Sequence, residues 1–293
     1  MDWSTNLQMV AAGLAMGSIY ALVALGFVLI FNAVNVVNFA QGEFAMVPAF
    51  VAVWLMSYLN LSFAMTCVIT VVFMGIFGIV FERIAYYPLR NRSFLPVIIS
   101  TIGVGIFLKN GAQLIFGAEP LSMPRPTSPE ALNFFGVFVD PQYIVIILCT
   151  LALLGFQYFF FEKTMLGKKM LATAQDKQMA RLLGIRVATM IAVTFVYSSI
   201  LGAAAGILVG PIFFVTKDMG AMIGVKAFCS SIVGGFGSIP GAILGGLFLG
   251  VIEVFAAYYV SSAYRDAFAF IILILVLLLR PQGIFGEKIA EKA

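Results

Sequence analysis

Apolar positions run almost unbroken along this chain, and its charges gather in clusters between the runs. Residues 3–42, 44–81, 141–161, 187–216 and 227–252 contain no Asp, Glu, Lys or Arg. Each run exceeds the roughly 20 apolar residues that carry a helix across a bilayer. A membrane β-barrel is disfavoured, because its strands alternate polar and apolar residues over about 10 positions. Charge breaks and turn residues predict spans at 7–31, 39–59, 62–84, 94–116, 142–162, 189–214, 241–260 and 263–280. A shorter segment, 221–237, is interrupted by Lys226 and ends in a glycine-rich turn. At about 1.5 Å per residue it is marginal for a core about 30 Å thick, so it either crosses or re-enters. The predicted fold is all-α: a polytopic transmembrane helical bundle of about eight or nine spans, forming a single domain over 1–293.

Small residues recur at four-residue spacing: Gly13 and Gly17; Gly202, Gly206 and Gly210; Gly241 and Gly245; Gly246 and Gly250. In lipid such faces let helices approach closely, so they predict bundle packing. Segment 117–141 is rich in proline, which blocks helix continuation, and reads as an extended connector. Tyr258, Tyr259 and Tyr264 read as an interfacial belt.

Composition agrees with the pattern. Hydrophobic residues make up 62% of the 293 and charged residues 10%, whereas a soluble domain carries roughly 25% charged residues. The first run is not expected to be a signal peptide: Asp2 stands before it without Lys or Arg, and its apolar stretch is too long. The chain has no histidine, which removes the usual metal ligand, general base and proton relay. Cys67, Cys149 and Cys229 sit in apolar stretches without ligand-like spacing and read as packing residues.

Charge placement sets the orientation. Arg83, Arg90, Arg92, Lys163, Lys168, Lys169, Lys177, Arg181, Arg186, Arg280, Lys288 and Lys292 fall on one side. Arg125, Lys217 and Arg265, each with an acid nearby in sequence, fall on the other. The positive-inside rule puts the first set in the cytoplasm and the N-terminus outside. If the C-terminus is also inside, the number of crossings is odd, and 221–237 would then cross.

Between 163 and 187 the chain turns polar, and a short helix with legible ends is expected there. Thr173 can cap its start, with the Asp176 carboxylate in the first turn, and Gly184 followed by Ile185 reads as a left-handed C-cap. The helix would cover 174–183, with Lys177 and Arg181 on one face and Met179, Leu182 and Leu183 away from it. A helix this short is marginal alone and needs something to pack on.

The stretch Gly167-Lys168-Lys169-Met170-Leu171-Ala172-Thr173-Ala174-Gln175-Asp176, continuing through Ala180 to Leu183-Gly184-Ile185, resembles the coupling loop of branched-chain amino-acid ABC transporter permeases. Three further segments agree, in order. They are Gly17-Ser18-Ile19-Tyr20-Ala21-Leu22 leading to Asn38-Phe39-Ala40-Gln41-Gly42-Glu43; Gly234-Gly235-Phe236-Gly237-Ser238-Ile239-Pro240-Gly241-Ala242; and Tyr264-Arg265-Asp266 with Leu279-Arg280-Pro281-Gln282-Gly283-Ile284-Phe285-Gly286. One departure is Leu171, where an arginine commonly precedes the Ala-x-Ala-Gln-Asp stretch. The resemblance implies one half of the pore of an ATP-driven importer, without covalent chemistry of its own. The partners so implied are a second permease subunit, two ATP-binding subunits, a periplasmic or extracellular solute-binding protein, the small-molecule substrate and membrane lipid, with no nucleic acid. It also implies a bacterial or archaeal inner (plasma) membrane, and branched-chain or other hydrophobic amino acids as cargo. Thr173, Asp176, Lys177, Arg181, Leu182 and Gly184 would couple to the ATPase. No cofactor is expected in this chain: it has no G-x-x-x-x-G-K-[ST] loop, and ATP would be used by its partners.

Ionisable residues inside a membrane are costly and are candidates for function. Glu43 lies just inside the second span, where Asn38 and Gln41 have the spacing of a helix cap with its N3 partner. Lys109 interrupts the fourth span, and Glu253 lies deeper in 241–260, where it must pair, be protonated or face water. Asn38, Gln41, Glu43, Lys109 and Glu253 are therefore the candidates for a translocation path or gate. Two other readings are weighed: a related permease for urea, amides or aromatic acids, and an autonomous ion-coupled carrier using Glu43, Lys109 and Glu253.

Overall fold

The computed structural model describes residues 3–127, 130–134 and 137–286. Asp2, Pro129, Lys288 and Lys292 lie outside the described residues. Helices α1 (Trp3–Val34), α2 (Glu43–Ser57), α3 (Phe63–Phe81), α4 (Phe94–Phe116) and α5 (Pro141–Lys163) come first. Two short helices follow, α6 (Met165–Gln175) and α7 (Lys177–Leu182). Then come α8 (Val187–Val209), α9 (Met219–Gly234), α10 (Ile239–Tyr259) and α11 (Arg265–Leu279). Eight stretches are long and apolar enough to cross a membrane: α1, α3 with its continuation to Leu89, α4, α5, α8, α10, and α2 and α11 with the short turns before them. The molecule is a polytopic helical bundle.

Helix α1 is the hub, buried over most of its length between α10, α8, α9 and α5. A side chain on Gly13 would stand 2.7 Å from the Val251 backbone, and one on Gly17 would stand 2.7 Å from that of Leu247. Gly246 and Gly250 face α1 in the same way, so the four-residue glycine spacing is what lets α1 and α10 touch backbone to backbone. Helices α3, α4, α5 and α11 lie at the periphery with most of their surfaces outward.

Segment 117–141 contains a small antiparallel hairpin, β1 (Leu132–Phe134) with β2 (Val137–Val139), within the stretch expected to be extended connector. Leu121 pairs with Val215 through two backbone hydrogen bonds, tying this connector to the turn before α9. At the other end of α9, Ile284 and Phe285 donate to the carbonyls of Val233 and Gly234. The Asn32 amide, near the end of α1, reaches the Gly237 carbonyl there. The turn before α9 and the turn after it are thus each tied to other parts of the bundle, and α9 itself is an apolar helix of 16 residues, shorter than the eight.

Candidate functional site

Three features stand apart from the apolar packing: a cavity between α2, α4 and α9, a charged cluster between α9, α10 and α11, and an exposed helical elbow at α6 and α7.

The cavity owes its existence to a broken entry into α2. Asn35 ends α1 in the left-handed region (φ 59°), a conformation that Asn tolerates better than most residues. The chain then turns back into the bundle as extended backbone. Asn38 caps a single 3₁₀ turn, Phe39–Gln41, by accepting from the Ala40 amide (3.1 Å). Phe39 N–H donates to Thr101 Oγ1 (3.2 Å), about 10 Å up α4 from its first residue by helical rise. Helix α2 therefore starts within the bundle rather than at its edge. Gln41 is fully buried; its Oε1 accepts from Ser198 on α8 (2.9 Å) and from the Asn38 amide (3.5 Å). The expected cap at Asn38 is present, but Gln41 ties α2 to α8 instead of closing a capping box.

Glu43 sits in the first turn of α2, 7% exposed. Its Oε2 has no hydrogen-bond partner among the described residues. The start of α9 passes directly over it: a side chain on Gly220 would stand 2.5 Å from Glu43 Oε2, and one on Gly224 would stand 2.9 Å from Gly42 Cα. Glycine at 42, 220 and 224 allows two helix starts to meet on one carboxylate. Beside this meeting point is a cavity of about 290 Å³, with Glu43 and Lys109 in its wall and Phe27, Phe39, Ile102, Ile106, Val225 and Phe228 as its apolar lining. Lys109 Nζ is held by Asp218 (2.5 Å), and Lys217 Nζ by Gln113 Oε1 (2.7 Å), which fastens α4 to the start of α9.

Glu253 does not belong to this cavity. It is 1% exposed, and its Oε1 takes Lys226 Nζ at 2.6 Å and also the Arg265 guanidinium. Lys226 bonds a second carboxylate, that of Asp266, at 2.7 Å. Two cations and two acids thus join α9, α10 and α11. Sequence neighbours are not the partners: Asp218 pairs with Lys109 rather than Lys217, and Asp266 with Lys226 rather than Arg265. Consecutive helical residues point about 100° apart, so adjacency in sequence does not make a pair. Arg125 pairs with Asp140 at 3.2 Å. Glu43, Lys109 and Glu253 are therefore not gathered into one ion-coupling site.

At the elbow, the expected cap moves by three residues. Thr173 lies inside α6, where its hydroxyl donates to the Lys169 carbonyl (2.8 Å). Asp176 is the cap: its Oδ1 accepts from the amides of Gln178 (2.7 Å) and Met179 (3.0 Å), and α7 runs only to Leu182. The reason is upstream. Thr164 caps α6 through the Gly167 amide (3.0 Å), so the chain is already helical when it reaches Thr173. The C-terminal expectation holds in full. Gly184 has φ +77°, Ile185 N–H donates to Ala180 O (2.9 Å) and Gly184 N–H to Arg181 O (3.0 Å), the two bonds of a Schellman cap. Leu182 and Leu183 are 81% and 77% exposed, with Met179 beside them. Burial and the neighbouring Arg181 guanidinium push the Lys177 amine below its ordinary range.

Residues 9–277 match the family model for the permease component of the branched-chain amino acid transport system. The high-affinity branched-chain amino acid permease protein LivH of Escherichia coli is 36% identical over 98% of this chain and 97% of its own length. BraD of Pseudomonas aeruginosa, described in the same words, is 37% identical over the same shares of the two chains. A probable LivH of Methanocaldococcus jannaschii is 29% identical over 92% of this chain and 89% of its own. Among solved structures, PsaBC from Streptococcus pneumoniae in complex with Fab is similar at a TM-score of 0.50 over 92% of this chain and 91% of that one. At 15% identity that likeness concerns the fold.

Proposed function

The chain belongs to the family of branched-chain amino acid transport permease components, and from that premise we propose that it forms half of an ATP-driven import pore for hydrophobic amino acids. The basic end of the bundle, with Arg83, Arg90, Arg92 and the α6–α7 elbow, faces the cytoplasm of a bacterial or archaeal cell. The N-terminus and the 117–141 connector then face outward, toward a solute-binding protein. A second permease subunit completes the pore, and two ATP-binding subunits hold the pair from below.

The observation that carries this reading is the elbow. A capped helix has no need to expose Met179, Leu182 and Leu183 together unless something covers them, and exposed apolar clusters rimmed by polar residues mark interaction sites. Asp176 at one end and the Gly184 cap at the other make α7 stiff enough to transmit a push. Lys177 and Arg181 crowd one face of it, and an acidic partner surface would relieve that repulsion. ATP is bound and used by those partners, whose closure tilts the bundle between its two openings.

The test is co-purification of the importer's ATP-binding subunits with Leu182→Glu, Leu183→Glu and the charge reversals Lys177→Glu and Arg181→Glu. Loss of the ATPase from the leucine variants, with the permease still folded, is the expected result. Unchanged assembly and unchanged ATP-dependent uptake across all four would remove the elbow from the mechanism.

A further inference from the structure

Glu43 Oε2 accepts no hydrogen bond among the described residues, and the cation that shares its cavity wall, Lys109, is committed elsewhere. Its neighbours by charge are already engaged: Lys109 with Asp218, and Lys217 with Gln113. Its Oε2 has no donor, yet it lies in the wall of a cavity whose remaining lining is largely aromatic and aliphatic. A charge left unpaired in such surroundings is costly, and proteins pair it or bring a ligand to it. The first turn of its own helix and the start of α9 both lie against this carboxylate. They do not satisfy Oε2.

We infer that the cavity between α2, α4 and α9 is a transit subsite for the substrate's ammonium group, with Glu43 as its acceptor and Phe39, Ile102, Ile106, Val225 and Phe228 as the wall for an aliphatic side chain. This rests on the import reading above and gives it a point of contact. The cavity's 290 Å³ lies just below the usual range of ligand clefts, about 300 to 1,000 Å³. Its chemistry suits a molecule with one positive end and a branched apolar body. A small neutral amide or urea would leave the Glu43 charge unanswered. An aromatic acid without an amine would bring a second negative charge against it. The subsite therefore sorts by the ammonium group.

The test uses the complete importer in membrane vesicles, probed with L-leucine and with 4-methylpentanoate, which is leucine without its amine. In the wild-type assembly, labelling of Glu43 by a hydrophobic carbodiimide is followed by mass spectrometry of the tryptic peptide. Leucine is expected to slow that labelling severalfold, and 4-methylpentanoate is expected not to. In parallel, Glu43→Gln should cut leucine uptake about tenfold or more, the loss of one charge-assisted hydrogen bond, with the ATPase still bound. Glu43→Asp should keep part of the activity. Equal protection by both probes, no protection by leucine, or normal uptake by Glu43→Gln each overturns the inference, and the labelling result stands even where the Gln variant does not fold. Absence of ATP-dependent leucine uptake by the wild-type assembly would instead overturn the import reading itself, and the two failures are thereby told apart.

Discussion

Replacing Glu253 should destabilise this protein more than replacing any other single acid in its membrane-spanning helices. Its Oε1 receives both Lys226 and Arg265, and it is 1% exposed. In Glu253→Ala the two cations keep only Asp266, whose side chain is 56% exposed and which contacts Lys226 alone in this cluster. Removing one member of a buried ion pair costs about 3–5 kcal/mol, because an uncompensated charge is left behind. An exposed pair is worth only about 0–1 kcal/mol, so Asp266→Asn should fall in that lower range. Replacing the whole core of the cluster, Glu253→Leu with Lys226→Met and Arg265→Met, removes charge and partner together. Such replacements are often neutral, so most of the stability should return. Reversible unfolding in mixed detergent micelles, followed by far-ultraviolet circular dichroism, reads all three. The reasoning fails if Glu253→Ala lies within about 1 kcal/mol of wild type, or if the triple apolar variant is less stable than the single one.

Other outcomes follow from the same geometry. Gly17→Leu should prevent α1 and α10 from meeting, since its side chain would stand 2.7 Å from the Leu247 backbone; the folded yield in detergent should collapse, whereas Gly103→Leu, with nothing near its position, should leave it unchanged. Asp176→Ala removes two cap hydrogen bonds from α7 and should cost roughly 1 kcal/mol locally; faster amide exchange at Gln178 and Met179 would report it, and Thr173→Ala should leave those amides unaffected. Gly220→Ala drives a methyl group against Glu43 Oε2 and Gly42; it should reduce leucine uptake while leaving ATPase binding at the elbow intact, and equal loss of both would refute the separation of the two sites.

Much of the site was legible before the fold was known. Glu43, Lys109 and Glu253 stand out because an ionisable residue in an apolar run is expensive wherever the run folds. The Gly184–Ile185 cap was readable because a Schellman ending is local and needs only a residue that tolerates positive φ. The start of α7 was misplaced because Thr173 and Asp176 are both good caps, and the choice between them depends on whether the chain is already helical when it arrives. Thr164 and Gly167 held that signal. The roles of Asp218 and Asp266 are not legible in the sequence, because each sits beside a basic residue there and pairs with a distant one in the fold.

The amino-acid sequence alone determined the solvent, the class of fold, nearly all of the spans and the basic end. Each of these depends on composition summed over about 20 consecutive residues, a purely local quantity. Tertiary structure alone decided that Asp218 pairs with Lys109, that Lys226 and Arg265 converge on Glu253, and that Gly220 lies over Glu43. Those outcomes join residues far apart in the chain. They were settled by which glycine faces could interlock and which buried charges could find partners, and neither is decided within any one helix.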